Sequence, residues 1–136
     1  MITAVHVDDD DSVLRAVSRI LRVKRPDWEL HSFDGCELEP VVTAIRDAAM
    51  RGHQVVYISD RELKQPFGAG EAFWRELWAK LSADERRAIK MFVALCTETG
   101  FRALLDAVAI TEDFTGTMVT LPKPVTAQAL LAPLPP

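Results

Sequence analysis

The chain has 136 residues, 49% of them hydrophobic, and a net charge of −4 at neutral pH. This length is typical of one globular domain with a single core. The lack of a basic run, of a membrane-spanning apolar stretch and of an apolar leader after Met1 predicts a cytoplasmic protein that binds neither nucleic acid directly nor a membrane.

Five short segments are rich in apolar, β-branched or aromatic residues and are predicted as strands. They comprise residues 2–7, 28–33, 54–59, 91–97 and 117–121. Three of the five are almost entirely apolar, which is typical of strands that are covered on both faces. A parallel sheet is therefore favoured over an antiparallel one.

Apolar residues recur at helical spacing between these strands. The predicted helices surround residues 13–21, 41–49, 73–81 and 101–108. A fifth helical pattern, residues 126–134, is short because Pro133 interrupts it. Each helix would close a right-handed βαβ unit, so the pattern predicts an α/β domain of (βα)5 order.

Charged and hydroxyl side chains follow the predicted strands. Asp8 and Asp9 follow the first strand, Asp60 the third, Thr97 ends the fourth and Lys123 comes just after the fifth. The carboxyl ends of parallel strands form one edge of the sheet, where ligands bind. Carboxylates about 4 Å apart repel by roughly 4 kcal/mol per pair at an effective dielectric constant of 20. A hard divalent cation such as Mg²⁺ would relieve that repulsion.

Other polar residues near the first strand have structural interpretations. Asp10 and Asp11 are expected to serve the following helix rather than a metal, with Asp11 or Ser12 as its N-cap. His6 lies inside an apolar strand and is expected to be a packed core residue without a catalytic role.

These segments resemble the receiver domain of two-component response regulators over nearly the whole chain. The sequence VHVDDDDSVL (5–14) is similar to the family's first strand with its acidic pair, and YISDREL (57–63) to its phosphoacceptor strand. The sequence ALCTETG (94–100) resembles the strand that carries the family's hydroxyl, and LPKPV (121–125) the segment that carries its lysine.

The resemblance implies a flavodoxin-like, doubly wound fold with a five-stranded parallel sheet of order 2-1-3-4-5. Residues 1–132 would form the receiver domain, and residues 133–136 a proline-rich tail or the start of a linker. Asp60 would be the phosphoacceptor, assisted by Thr97 and Lys123.

The resemblance also implies a Mg²⁺ site. Its ligands would be Asp8, Asp9, Asp60 and the backbone carbonyl of Glu62. The protein would be a signalling domain rather than an enzyme, with at most self-catalysed phosphotransfer and dephosphorylation.

The implied partners are a sensor histidine kinase or phosphotransfer protein upstream, and a C-terminal effector domain or separate partner protein downstream. A homodimer is a further arrangement open to such a domain. The sequence leaves open which kinase and which output are involved, and whether further residues follow Pro136.

Three residues depart from the family's pattern. Glu98 stands where a small residue usually follows the hydroxyl, Thr120 where the fifth strand usually carries an aromatic residue, and Lys64 where a proline is usual. These departures leave open a receiver-like interaction domain that does not use phosphorylation.

Residue spacing bears on two other kinds of acidic site. A calcium EF-hand loop beginning at Asp8 is excluded, because Val13 and Arg19 occupy its sixth and twelfth positions. A phosphatase of the haloacid dehalogenase type is a distant alternative. It would need an acidic motif after Lys123, which is missing, and it would leave Asp60 without a role.

Overall fold

A parallel β-sheet organises the described part of the chain, which comprises residues 1–60, 63, 66–95 and 114–136 of a computed structural model. The elements are β1 (Ile2–Val7), α1 (Asp11–Lys24), β2 (Glu29–Phe33), α2 (Glu39–Met50), β3 (Gln54–Asp60), α3 (Gly70–Lys80), α4 (Ala83–Ala88), β4 (Ile89–Leu95), β5 (Thr117–Leu121) and α5 (Ala127–Leu131).

The sheet has the order β2-β1-β3-β4-β5, and all of its strand pairs are parallel. This confirms the predicted flavodoxin-like fold and its strand order. Val7 pairs with Ser59, Asp60 with Leu95, and Leu95 with Leu121. The carboxyl ends of four adjacent strands therefore lie level with one another at one edge.

The core has one layer on each face of the sheet. One layer packs α2 and α3 against Val5, Val7 and Tyr57, and Trp74 lies in it with none of its surface exposed. The other layer packs α1 and α5 against strand residues such as Ala4. Burial on both faces explains why the strand sequences are nearly all apolar.

Helix α4 was not predicted from the sequence as a separate element. Ser82 forms a capping box with Glu85: its hydroxyl accepts from the Glu85 N–H, and the Glu85 carboxylate accepts from the Ser82 N–H. Arg46 of α2 donates to Glu85 at 2.9 Å. The Ser-x-x-Glu spacing was the sequence signal for this helix.

The chain after β5 packs back onto the sheet. Helix α5 ends at Leu131, before Pro133, as the short apolar pattern predicted. Leu134 is only 6% exposed, and Arg25 donates from Nε to the Pro135 carbonyl at 2.8 Å. The division of the chain after residue 132 stays a prediction.

The predicted helix 101–108 lies outside the described residues. Among the helices that are described, none combines the length and the apolar character that crossing a membrane requires.

Candidate functional site

Three carboxylates meet at the carboxyl edge of the sheet. Asp8 follows β1 directly and is fully buried, Asp9 is half-buried, and Asp60 ends β3 with 4% of its surface exposed. One oxygen from each lies within 4.8 Å of the others. The structure thus brings together the three acidic side chains that the sequence placed at this edge.

Lys123 is the cation of this cluster. Its Nζ lies 2.8 Å from Asp60 Oδ1 and 3.9 Å from Asp8 Oδ2. Burial alone would lower the pKa of Lys123, but the hydrogen bond to Asp60 and the negative charges of Asp8 and Asp60 outweigh that effect and raise it. Lys123 therefore stays charged and neutralises part of the acidic cluster.

The three carboxylates offer the oxygen ligands and the negative charge that a divalent cation needs. Among the described residues, the three carboxylates and the Lys123 ammonium have a net charge of −2. Asp8 Oδ1 accepts from the Asp10 N–H at 2.9 Å, whereas Asp8 Oδ2 is buried without a hydrogen-bond partner. A buried anionic oxygen without a hydrogen bond is costly, and a hard cation would satisfy it. The residues present therefore fit Mg²⁺.

The acidic run divides between the cluster and the adjoining helix. Asp10 is the N-cap of α1, where its carboxylate accepts from the N–H groups of Ser12 and Val13. The Ser12 hydroxyl also donates to it, and these hydrogen bonds lower the pKa of Asp10. The predicted N-cap, Asp11 or Ser12, was wrong by one or two residues, because the helical turn already begins at Asp11.

The backbone carbonyl of Asp60 lies close to the start of α3. The Ser59 hydroxyl donates to the Asp60 carbonyl at 2.9 Å. A Cβ added at Gly70 would lie 2.2 Å from that same carbonyl oxygen. Only glycine therefore lets α3 begin this close to the end of β3.

Several residues of the sequence prediction lie outside the described part of the chain. They are Thr97, the Glu62 carbonyl, Glu98 and Lys64, and their roles stay predictions. Thr120 is described: it lies in β5 and is half-buried.

His6 is the residue whose surroundings the sequence analysis missed. Its burial was predicted correctly, since only 3% of it is exposed. Its Nε2, however, lies 3.5 Å from Oδ2 of Asp8, one of the three clustered carboxylates. The signal was available, because residues two apart on a strand point to the same face of the sheet.

No protein-family model matches this sequence, and no curated protein matches it. Solved structures do match the fold. The chemotaxis response regulator CheY4 of Vibrio cholerae is 22% identical, with 96% of this chain and 93% of that chain covered and a TM-score of 0.66.

Two further structures agree. A response regulator receiver protein from Dyadobacter fermentans is 15% identical, with 96% of this chain and 92% of that chain covered and a TM-score of 0.65. A CheY-like receiver domain protein from Methanospirillum hungatei is 19% identical, with coverage of 95% and 87% and a TM-score of 0.62. The chain has the fold of response regulator receiver domains.

Proposed function

We propose that this protein is a phosphoacceptor receiver domain that takes a phosphoryl group from a histidine kinase, or from a phosphotransfer protein, onto Asp60. One observation carries the proposal: the Lys123 ammonium lies 2.8 Å from Asp60 within a group of three carboxylates, at the ligand-binding edge of a receiver fold. The group provides a nucleophile, a cation for phosphoryl oxygens and a metal site in one place.

Asp60 acts as the nucleophile. One carboxylate oxygen attacks phosphorus of a phosphohistidine, an acyl phosphate forms, and the P–N bond breaks with its electron pair left on the imidazole nitrogen. Lys123 already lies beside Asp60 and binds an oxygen of the incoming phosphoryl group. Thr97 would give the second hydrogen bond to that group.

Asp8, Asp60 and the Glu62 carbonyl would hold Mg²⁺ directly, with Asp9 mostly through water. When bound, Mg²⁺ offsets the negative charge of the transferring group. Phosphorylation then adds about one further negative charge near neutral pH. Recruitment of Thr97 and Lys123 by that charge would shift the loops beside β4 and β5 between two arrangements.

As a receiver, the protein would signal rather than catalyse turnover, and it would act in the cytoplasm. Its output would pass to an attached effector domain, a partner protein or a second copy of the chain. Receiver-like interaction without phosphorylation remains the second candidate, favoured by Thr120 in place of an aromatic residue on β5. The phosphatase hypothesis is disfavoured, because it gives no role to Asp60, whose Oδ1 lies 2.8 Å from Lys123 Nζ.

The test is chemical labelling. Incubation with acetyl phosphate and magnesium should add one phosphoryl group, detected by intact mass and removed by hydroxylamine. Asp60→Asn should abolish labelling, whereas Asp11→Asn should not, because the Asp11 side chain is 81% exposed and outside the group. Labelling that persists in Asp60→Asn but vanishes in Asp9→Asn would support the phosphatase reading. Failure to bind beryllofluoride with magnesium would support the interaction domain.

A further inference from the structure

His6 is a buried polar residue that needs explanation. It lies in the middle of an apolar strand with 3% of its surface exposed, and neither ring nitrogen has a hydrogen-bond partner among the described residues. Burying a polar group without a hydrogen bond costs free energy. Most buried polar groups in folded proteins have a hydrogen-bond partner, so an exception such as His6 calls for an explanation.

The position of His6 relates it to one atom of the candidate site. Its Nε2 lies 3.5 Å from Asp8 Oδ2, the same carboxylate oxygen that is itself buried without a hydrogen-bond partner. Both residues project from the same face of β1. A carboxylate oxygen has two lone pairs, so Asp8 Oδ2 is able to accept a hydrogen bond from His6 and bind a cation at once.

His6 itself is not placed as a ligand. The group of mutually close ligand atoms contains the carboxylates of Asp8, Asp9 and Asp60 and does not include an imidazole nitrogen. Among the described residues, Asp8 is the member of the group that His6 approaches, at 3.5 Å. This is the arrangement of a residue that orients a ligand rather than one that binds the metal.

The surroundings of His6 favour one tautomer. A cavity of about 10 Å³ adjoins the ring, but apolar side chains such as Ala4, Val17 and Leu21 form much of its lining. So small and apolar a space is a poor water site. Among the described residues, the charged contact of the His6 ring is with Asp8 Oδ2, which favours a proton on Nε2, the nitrogen that lies 3.5 Å from that oxygen.

We propose that His6 is a positioning residue of the metal site: its Nε2–H donates to Asp8 Oδ2 and fixes the orientation in which Asp8 presents its oxygens to a divalent cation. The inference rests on the proposed function, because it concerns the same magnesium site. It adds a residue of this chain that acts through Asp8 and touches neither the metal nor the phosphoryl group.

The test compares two substitutions of similar bulk. His6→Gln keeps an N–H donor, whereas His6→Leu removes it. Magnesium titrated into each protein by calorimetry should bind about tenfold more weakly to His6→Leu than to wild type, and within about threefold of wild type in His6→Gln. Unfolding temperatures without metal measure the packing cost of each change separately. In an Asp8→Asn background, His6→Leu should weaken binding no further.

The tautomer gives a readout without metal. Long-range ¹H–¹⁵N NMR distinguishes the two neutral forms of an imidazole, and with only three histidines in the chain the signal of His6 is assignable. We expect the proton on Nε2. A proton on Nδ1 would overturn the inference.

The outcomes separate the two proposals. Wild-type protein that binds magnesium with an affinity unchanged in His6→Leu overturns the role of His6 and leaves the proposed function standing. Equal weakening in both variants, in parallel with equal losses of metal-free stability, shows that His6 acts by packing and also overturns it. Wild-type protein that binds no magnesium overturns the proposed function and the role of His6 with it.

Discussion

Lys123 and Asp60 form an ion pair across the end of β4. Asp60 ends β3 and Lys123 follows β5, the two strands that flank β4 in the sheet, and their charged atoms are 2.8 Å apart. The same ammonium lies 3.9 Å from Asp8. Lys123 is thus paired with the carboxylates that would bind a metal. It is also the group that would bind the transferred phosphoryl oxygens.

Lys123→Met should therefore change magnesium binding and phosphorylation in opposite directions. Removing a positive charge beside the ligands should strengthen magnesium binding by roughly threefold to tenfold. Phosphorylation by acetyl phosphate should slow at least about tenfold, because the phosphoryl oxygens lose a cation. Calorimetry and time-resolved intact mass measure the two effects. Lys90→Met, which removes an exposed lysine near the start of β4, should change neither. Weaker magnesium binding in Lys123→Met would contradict this account.

Asp8→Asn should stabilise the metal-free protein. At about 5 Å and an effective dielectric constant of 20, each of the two carboxylate neighbours repels Asp8 by roughly 3 kcal/mol, while Lys123 attracts it by roughly 4 kcal/mol. Repulsion is larger, and the buried charge adds a desolvation cost. We expect the metal-free unfolding temperature to rise by about 3–8 °C.

Magnesium gives the complementary half of that experiment. It should raise the unfolding temperature of wild type, because a ligand that binds only the folded state stabilises it, and should barely change that of Asp8→Asn. Asp11→Asn serves as the control, since it removes an exposed charge from the same acidic run. An Asp8→Asn protein less stable than wild type without metal would show that Asp8 is already satisfied by its other contacts.

Much of the fold was predictable because its signals are local. The nearly apolar segments around Val5 and Tyr57 predicted buried parallel strands. Because Asp8 and Asp60 directly follow these segments, they were expected at the carboxyl edge of the sheet. Strand order came from the resemblance to receivers and not from periodicity, which does not report which strands are neighbours. Thus the fold and the three-carboxylate cluster were predicted correctly.

The errors came from short-range geometry and from unused spacing rules. The α1 N-cap was placed late because Asp10, Asp11 and Ser12 are all good capping residues, and only backbone conformation chooses among them. Helix α4 was missed because its residues 83–88 carry no apolar stripe, although the Ser82–Glu85 spacing marked it. The two-residue spacing of His6 and Asp8 predicts that both side chains lie on one face of β1, but the distance between them depends on side-chain rotamers, which the sequence does not specify.

The capping box of α4 should contribute to stability and not to the site. Ser82→Ala leaves the Glu85 N–H without its acceptor and should lower the free energy of unfolding by about 1 kcal/mol. Urea denaturation measures the change. Asp84→Ala, in the same helix but 89% exposed at its side chain, should have little effect. Magnesium affinity should stay the same in both variants, and a change would mean that α4 is coupled to the carboxylates.

The end of the chain should contribute to the core. Leu134 is 6% exposed and packs in the layer that includes Leu130. Leu134→Ala should therefore lower the free energy of unfolding by roughly 2 kcal/mol, the lower part of the range for buried leucine. Pro136→Ala, at an exposed position, is the matched control. A cost below about 0.5 kcal/mol would support residues 133–136 as a tail outside the domain.

The raised pKa of Lys123 predicts a loss of stability at alkaline pH. Burial opposes the charged form, but the hydrogen bond to Asp60 and the charges of Asp8 and Asp60 prevail, so the folded-state pKa lies above the ordinary value of 10.5. A group whose pKa is raised by folding stabilises the protein fully below its unfolded pKa, and this contribution disappears as the pH rises through the folded pKa.

Wild type and Lys123→Met should therefore differ in the slope of stability against pH only above about pH 10. Metal-free urea denaturation from about pH 8 to about pH 11.5 measures it. The difference in stability between the two proteins should stay constant up to about pH 10 and then shift against wild type as Lys123 loses its proton. The comparison cancels the titration of the other lysines and of Tyr57, which both proteins share. Because the pair is only partly shielded from solvent, added salt should reduce the difference. Curves of stability against pH that stay parallel for the two proteins throughout this range would mean that folding does not favour the charged form of Lys123. That result would contradict a stabilising ion pair between Lys123 and Asp60.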